Sequence, residues 1–248
     1  MLRKRLITVL TFNDGVLFRT KDFIPDYRYT LNFVDAWSVD EIVILDVTRP
    51  NQGKRENFYN VVRQFARKCF VPLAVGGGVR TLNDFKTLLG LGADKIIINT
   101  EAVKRPEFIT EGAKSFGAQC VVVSIDAKKK DDGCYEVFTD FGRRSTGLSP
   151  DEWAKKAQEF GAGEIMINSI DKDGSLEGYD LELAKIVSNA VDIPVLICGG
   201  AGLWQHFVDG FNKGKASAVC TTNIYHFTES SIKSAKIYLK NNQIDVRI

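Results

Sequence analysis

Leu73–Arg80 (LAVGGGVR) and Leu196–Leu203 (LICGGAGL) are two copies of one glycine-rich stretch. In each, a short apolar run stops at consecutive glycines and a helical pattern follows. This leaves backbone N–H groups exposed at a strand-to-helix junction, where a phosphate can be cradled. Gly76 and Gly199 lie 123 positions apart, and the same offset relates Glu41 to Glu164, Ile42 to Ile165 and Asn99 to Thr222. Glycines also break strands with no ligand in view. Two copies in register instead point to a duplicated half, about 1–119 and 120–248, with a phosphate site on each.

Around these motifs, short β-branched runs alternate with amphipathic stretches. Candidate strands are Leu6–Thr11, Glu41–Asp46, Pro72–Val75, Lys95–Asn99, Cys120–Asp126, Glu164–Asn168, Pro194–Cys198 and Ala216–Thr221. Candidate helices lie near 30–38, 56–68, 81–90, 106–116, 150–160, 180–190, 203–213 and 229–241, with start signals at Thr81, Pro106 and Ser149 followed by Pro150. Eight strand–helix units in 248 residues fit a single (β/α)8 TIM barrel better than an open doubly wound sheet. A barrel places its chemistry in the loops after the strands. Two of these are long: Phe12 to about Thr30, and the segment holding KKKDDGCYEVFTDFGRRSTG, whose Asp-Asp-Gly reads as a hairpin turn. Both are candidate lids.

Composition narrows the function classes. The chain is 44% hydrophobic and 26% charged, with a formal charge of +2, so it can bury a large core and shows no bulk attraction to nucleic acid. Its five cysteines form no CxxC pair and read as free thiols of a reducing compartment. There is no apolar leader after Met1 and no run long enough to span a membrane, which predicts a cytoplasmic protein.

Asp126 closes the fifth strand pattern and Asp173 follows the sixth, so each is a candidate general acid or base. The Asp171–Gly174 turn (DKDG) lacks the glutamate a calcium loop requires, and His206 and His226 have no companion at ligand spacing, so no metal and no cofactor is expected.

AVGGGVR, GADKIIINTEAV, FGAQCVVVSIDAK, GAGEIMINSIDKDGS, GYD and CGGAG together resemble the cyclase subunit of imidazole glycerol phosphate synthase over essentially the whole chain. The resemblance implies a barrel of two phosphate-binding halves. One site would comprise Gly78, Asn99 and Thr100, the other Asp173, Gly174, Gly200, Thr222 and Asn223. It further implies a charged ring of Arg5, Glu41, Lys95 and Glu164 that admits ammonia at the barrel's bottom, with Asp94 and Gln119 beside a docked glutaminase subunit.

Departures from the family pattern bear on the activity. Thr11 stands where the family carries an aspartate that pairs with Asp126, and threonine offers no titratable group near neutrality. Arg19 replaces a substrate-covering lysine, exchanging a flexible ammonium for a planar fork, and Thr222 and Asn223 replace smaller residues. An intact entrance with half an acid–base pair resembles the glycosyl amidation-associated paralogues of bacterial surface-glycan pathways. The expectation is therefore an ammonia-channelling barrel that serves a glutaminase and a separate sugar amidotransferase, acting on a phosphorylated or nucleotide-linked small molecule. The alternatives are a true cyclase that tolerates Thr11 and a non-conducting regulatory subunit.

Overall fold

A computed structural model of the chain describes residues 3–21, 23–28, 39–221 and 232–247. In chain order the strands are β1 Arg5–Asn13, β2 Val16–Lys21, β3 Ile24–Arg28, β4 Glu41–Asp46, β5 Leu73–Gly76, β6 Lys95–Ile98, β7 Val121–Lys129, β8 Tyr135–Thr139, β9 Arg144–Ser145, β10 Glu164–Ser169, β11 Val195–Cys198 and β12 Ala218–Thr221. The helices are α1 Arg55–Lys68, α2 Leu82–Gly90, α3 Thr100–Lys104, α4 Glu107–Phe116, α5 Pro150–Glu159, α6 Leu181–Ala190, α7 Trp204–Asn212 and α8 Ile232–Asn241.

Strands β1, β4, β5, β6, β7, β10, β11 and β12 run parallel, and β12 pairs with β1, so the sheet closes on itself as a (β/α)8 barrel. An open doubly wound sheet is thereby excluded. Strand alternation divides the core in two. Ile7, Val9, Val43, Ala74, Ile97, Val122, Met166, Leu196, Ala218 and Cys220 point inward and fill the lumen, with Cys198 packed against them. The intervening residues meet the helices in a larger outer cluster. Helix α1 shows how the layers join: Phe58, Val61, Val62 and Phe65 recur at helical spacing and are buried against the barrel.

Both long excursions are built as hairpins. Strand β1 continues past the barrel rim, turns at Asp14 and Gly15, both with positive φ, and pairs antiparallel with β2. Such a two-residue turn suits the twist of the flanking strands. Strand β2 then pairs with β3, so the first excursion, expected as a loop, is largely sheet. Strand β7 likewise runs on to Lys129 and folds back as β8 through the Asp131–Gly133 turn, as the Asp-Asp-Gly signal indicates. The helix candidate at 30–38 lies outside the described residues. No described helix is long and apolar enough to cross a membrane.

Candidate active site

Asp126 lies two inward positions above Val122 near the end of the barrel segment of β7, and its side chain is buried. Two amides hold it: Asn99 Nδ2 donates to Oδ2 at 2.7 Å and Asn168 Nδ2 donates to Oδ1 at 2.9 Å. Asn168 Nδ2 also reaches Ser124 Oγ at 3.2 Å. Burial raises the Asp126 carboxyl to about 6; the Asn168 and Asn99 amides oppose the shift and the charge of Asp173 adds to it. A carboxyl that exchanges its proton this near neutrality is suited to general acid–base work.

The same shift has a consequence for stability. Because the folded-state value lies above the ordinary aspartate value of 3.8, protonation favours the folded chain; this stabilisation is complete below about pH 4 and is lost as the pH rises through about 6. The Asp126→Asn variant removes the buried charge, and the Asn99 amide, whose Oδ1 is buried without a partner, can turn to accept from the new side chain. Urea unfolding of this variant is expected to show a gain on the order of 2–3 kcal/mol over the wild type near pH 8 that vanishes near pH 4. An equal difference at both pH values would contradict the assignment.

Thr11 sits on the same face of β1 as Ile7 and Val9, and its Oγ1 donates to the Phe18 carbonyl across the β1–β2 hairpin. Arg19 lies on β2, and its side chain, like Thr222, Asn223 and His226, lies outside the described residues. Asn99, one of the expected phosphate residues, donates through Nδ2 to Asp126, and its Oδ1 is buried without a partner among the described residues. Thr100 opens α3, and its Oγ1 accepts from the Asp140 N–H at 3.2 Å. Asp173 accepts from the Phe23 N–H at 3.0 Å and from Thr20 Oγ1 at 3.2 Å, so it anchors the β2–β3 hairpin.

Two of the expected phosphate-site glycines have packing reasons of their own. A Cβ on Gly174 would stand 2.7 Å from the Thr20 carbonyl, and one on Gly200 would stand 2.1 Å from that of Gly178, each with positive φ. Gly78 lies in the loop after β5 with the Arg55 guanidinium beside it.

The helix starts beyond the glycine motifs are not bare, contrary to the sequence expectation. At α2, Asp84 accepts from the N–H groups of Arg80 (2.9 Å) and Thr81 (2.8 Å), while Thr81 Oγ1 accepts from the Asp84 N–H in a capping box. At α7, His206 Nδ1 accepts from the N–H groups of Gly202 (3.1 Å) and Leu203 (3.2 Å). Each motif thus supplies its own occupant for these amides.

At the opposite end of the lumen, the four expected charges form a closed ring. Arg5 Nη1 meets Glu41 Oε2 at 2.7 Å and Arg5 Nη2 meets Glu164 Oε1 at 2.8 Å. Lys95 Nζ completes the circuit to Glu41 at 2.8 Å and to Glu164 at 3.0 Å. Asp94 and Gln119 are exposed, and the Asp94 carboxylate accepts from the Leu73 N–H at the start of β5.

Sequence reading missed several mouth residues. Asn168 was detectable as a polar residue at the inward phase of EIMINS. Asp46, which ends β4, pairs with Arg55 at 2.7 Å, and Arg49 follows in the same loop; neither arginine carried a periodic signal. The five cysteines are free, and among the described residues no group of three or more His, Cys, Asp or Glu is placed to hold a metal ion.

A sequence model for histidine biosynthesis proteins matches residues 8–231. Imidazole glycerol phosphate synthase subunit HisF of Hydrogenobaculum sp. (strain Y04AAS1) is 43% identical over 253 residues, covering all of both chains. The subunit of the same name from Clostridium botulinum (strain Okra / Type B1) is 44% identical over 254 residues with the same coverage. These matches overturn the expected role in surface-glycan amidation and leave the sugar amidotransferase without support. That expectation weighted the change at Thr11 above a likeness that runs the length of the chain.

Proposed function

Because the chain belongs to the histidine biosynthesis protein family, we propose that it is an ammonia-using cyclase of the imidazole glycerol phosphate synthase type. The observation that carries this reading is Asp126, a buried carboxyl at the C-terminal mouth, oriented by two amides and shifted to about 6. Ring closure with ammonia requires protons to leave one atom and arrive at another, and a carboxyl of this affinity can do both. Thr11 contributes no proton, so Asp126 works as the sole carboxyl of the pair and turnover is slow. The substrate's phosphates would lie at the two glycine loops, with Gly78 and Thr100 on one side and Gly174 and Gly200 on the other, on amides other than those held by Asp84 and His206.

Ammonia would come from a glutaminase seated on the N-terminal face against Asp94 and Gln119. Above the charged ring the lumen is apolar, including Val9, Ala74, Ile97, Cys198 and Cys220, a lining that tolerates neutral ammonia and disfavours ammonium. The ring is shut by its four ion pairs, so passage requires it to open. Five free thiols suit a reducing, cytoplasmic setting.

The test is an assay of the purified chain with ammonium salts, beside Thr11→Asp. An aspartate here loses the donation to the Phe18 carbonyl, at a cost of about 1 kcal/mol, and supplies the second carboxyl. The expected result is slow turnover in the wild type and a rise of at least about tenfold in the variant. No turnover in either protein would overturn the reading.

A further inference from the structure

The β2–β3 hairpin reaches across the barrel mouth, and its turn residue Phe23 is held from both sides. Its N–H donates to Asp173 Oδ2 at 3.0 Å, in the loop after β10, and its carbonyl accepts from Arg49 Nη2 at 3.2 Å, in the loop after β4. β4 and β10 stand four strands apart around an eight-stranded barrel, so these anchors lie on opposite sides of the mouth. A second element joins from the β8–β9 turn. The Arg49 guanidinium lies 4.0 Å over the Phe141 ring, and a Cβ built on the neighbouring Gly142 would meet Phe23 Cδ2 at 3.2 Å and Ile170 Cδ1 at 3.3 Å. The result is a roof over the end of the barrel that carries Asp126, with Arg49 joining its two parts.

Arg49 is not fully used by this role. Its Nη1 is buried and has no hydrogen-bond partner among the described residues, an expensive condition for a charged donor. Asp140 and Phe141 both adopt positive φ, 53° and 60°, a conformation that bulky side chains rarely take, and this turn presents the ring to Arg49. The turn is in addition tied to Thr100, one of the expected phosphate residues, through the Asp140 N–H. Burial and the nearby charge of Arg143 both work against the Arg49 cation; Asp140, which only partly relieves them, is itself paired with Arg143 at 2.9 Å. An anion at this place would meet an unspent guanidinium edge and an excess of positive charge.

We propose that Arg49 is a substrate-recognition residue whose free guanidinium edge takes a phosphate oxygen at the barrel mouth, with the Phe141 ring fixing its plane. Stacking leaves a guanidinium's in-plane N–H groups available, and a planar fork suits a phosphate. The inference rests on the proposed function only in that the substrate is phosphorylated.

The test is calorimetric titration of the full chain with inorganic phosphate, for the wild type, Arg49→Met and Arg49→Lys. Arg49→Met is expected to weaken phosphate binding by about tenfold or more, with Arg49→Lys intermediate because it keeps the charge without the fork. In the ammonium assay the KM for the phosphorylated substrate should rise while kcat changes much less. Thermal unfolding of each variant verifies that it is folded. Equal phosphate affinity in the wild type and Arg49→Met, or no binding to either, would overturn the proposal and leave Arg49 a structural staple. Absence of cyclase turnover in both the wild type and Thr11→Asp, with phosphate still bound through Arg49, would sink the cyclase reading and leave this inference standing.

Discussion

Asp126→Asn is expected to lower ammonium-dependent turnover by about 100- to 10,000-fold while the chain stays folded, the range for loss of a positioned acid–base group. The expectation is sharper here than for a protein with two catalytic carboxylates. Thr11 can neither give nor take a proton near neutrality, so no neighbour at that position can substitute for the lost group. The amides of Asn99 and Asn168 remain to hold the new side chain, which separates chemistry from collapse of the site. Steady-state kinetics with saturating ammonium salts are the measurement, and the loss should fall on kcat rather than on KM. Residual activity within a few-fold of the wild type would remove Asp126 from the mechanism.

The second large effect is expected at the other end of the lumen. Glu41 is 1% exposed and accepts from both Arg5 and Lys95. Glu41→Ala leaves these two cations facing each other with Glu164 alone to compensate them. Breaking a buried pair in this way costs about 3–5 kcal/mol, far more than an exposed pair. Urea unfolding at neutral pH reads the loss directly. The double variant Glu41→Gln with Lys95→Met should recover part of it, because one cation then faces one anion. A loss under about 1 kcal/mol for Glu41→Ala would mean that water screens the ring as it screens surface pairs.

Much of the barrel was legible because its signals are periodic. The strand Glu41–Asp46 falls at the bounds read from sequence, while the ring of Arg5, Glu41, Lys95 and Glu164 was implied by the family resemblance and not by periodicity. The first excursion reads as a loop although Asp14-Gly15 is a strong hairpin signal, since an apolar run that leaves a barrel rim gives no mark of where the barrel ends. At the mouth, residue type identified polar groups without revealing their partners. The resemblance alone put Asn99 and Asp173 beside phosphates; in the fold the Asn99 amide donates to Asp126, and Asp173 accepts from Phe23 and Thr20. Arg49 and Arg55 were invisible because their meaning comes from rings and carboxylates brought near by the fold. Thr11 illustrates a limit of single positions: one side chain bears on rate, whereas the whole chain bears on kinship.

The two helix starts that follow the glycine motifs differ in what acid does to them. The Asp84 carboxyl is held below its usual range; burial opposes this, but the N–H of Arg80 and the hydroxyl and N–H of Thr81 prevail. It therefore grips its amides well into the acid range. His206 accepts through a ring nitrogen that must stay unprotonated, and burial holds its pKa low despite Asp209. Its contribution is intact above the ordinary histidine range and fails as the pH falls through the folded-state value. A carboxylate and an imidazole thus fasten similar amide pairs with unequal endurance. On acidification the start of α7 would be the one to unclasp, freeing the Gly202 and Leu203 N–H groups beside a newly formed imidazolium and turning a self-satisfied turn into a receptive one for anions.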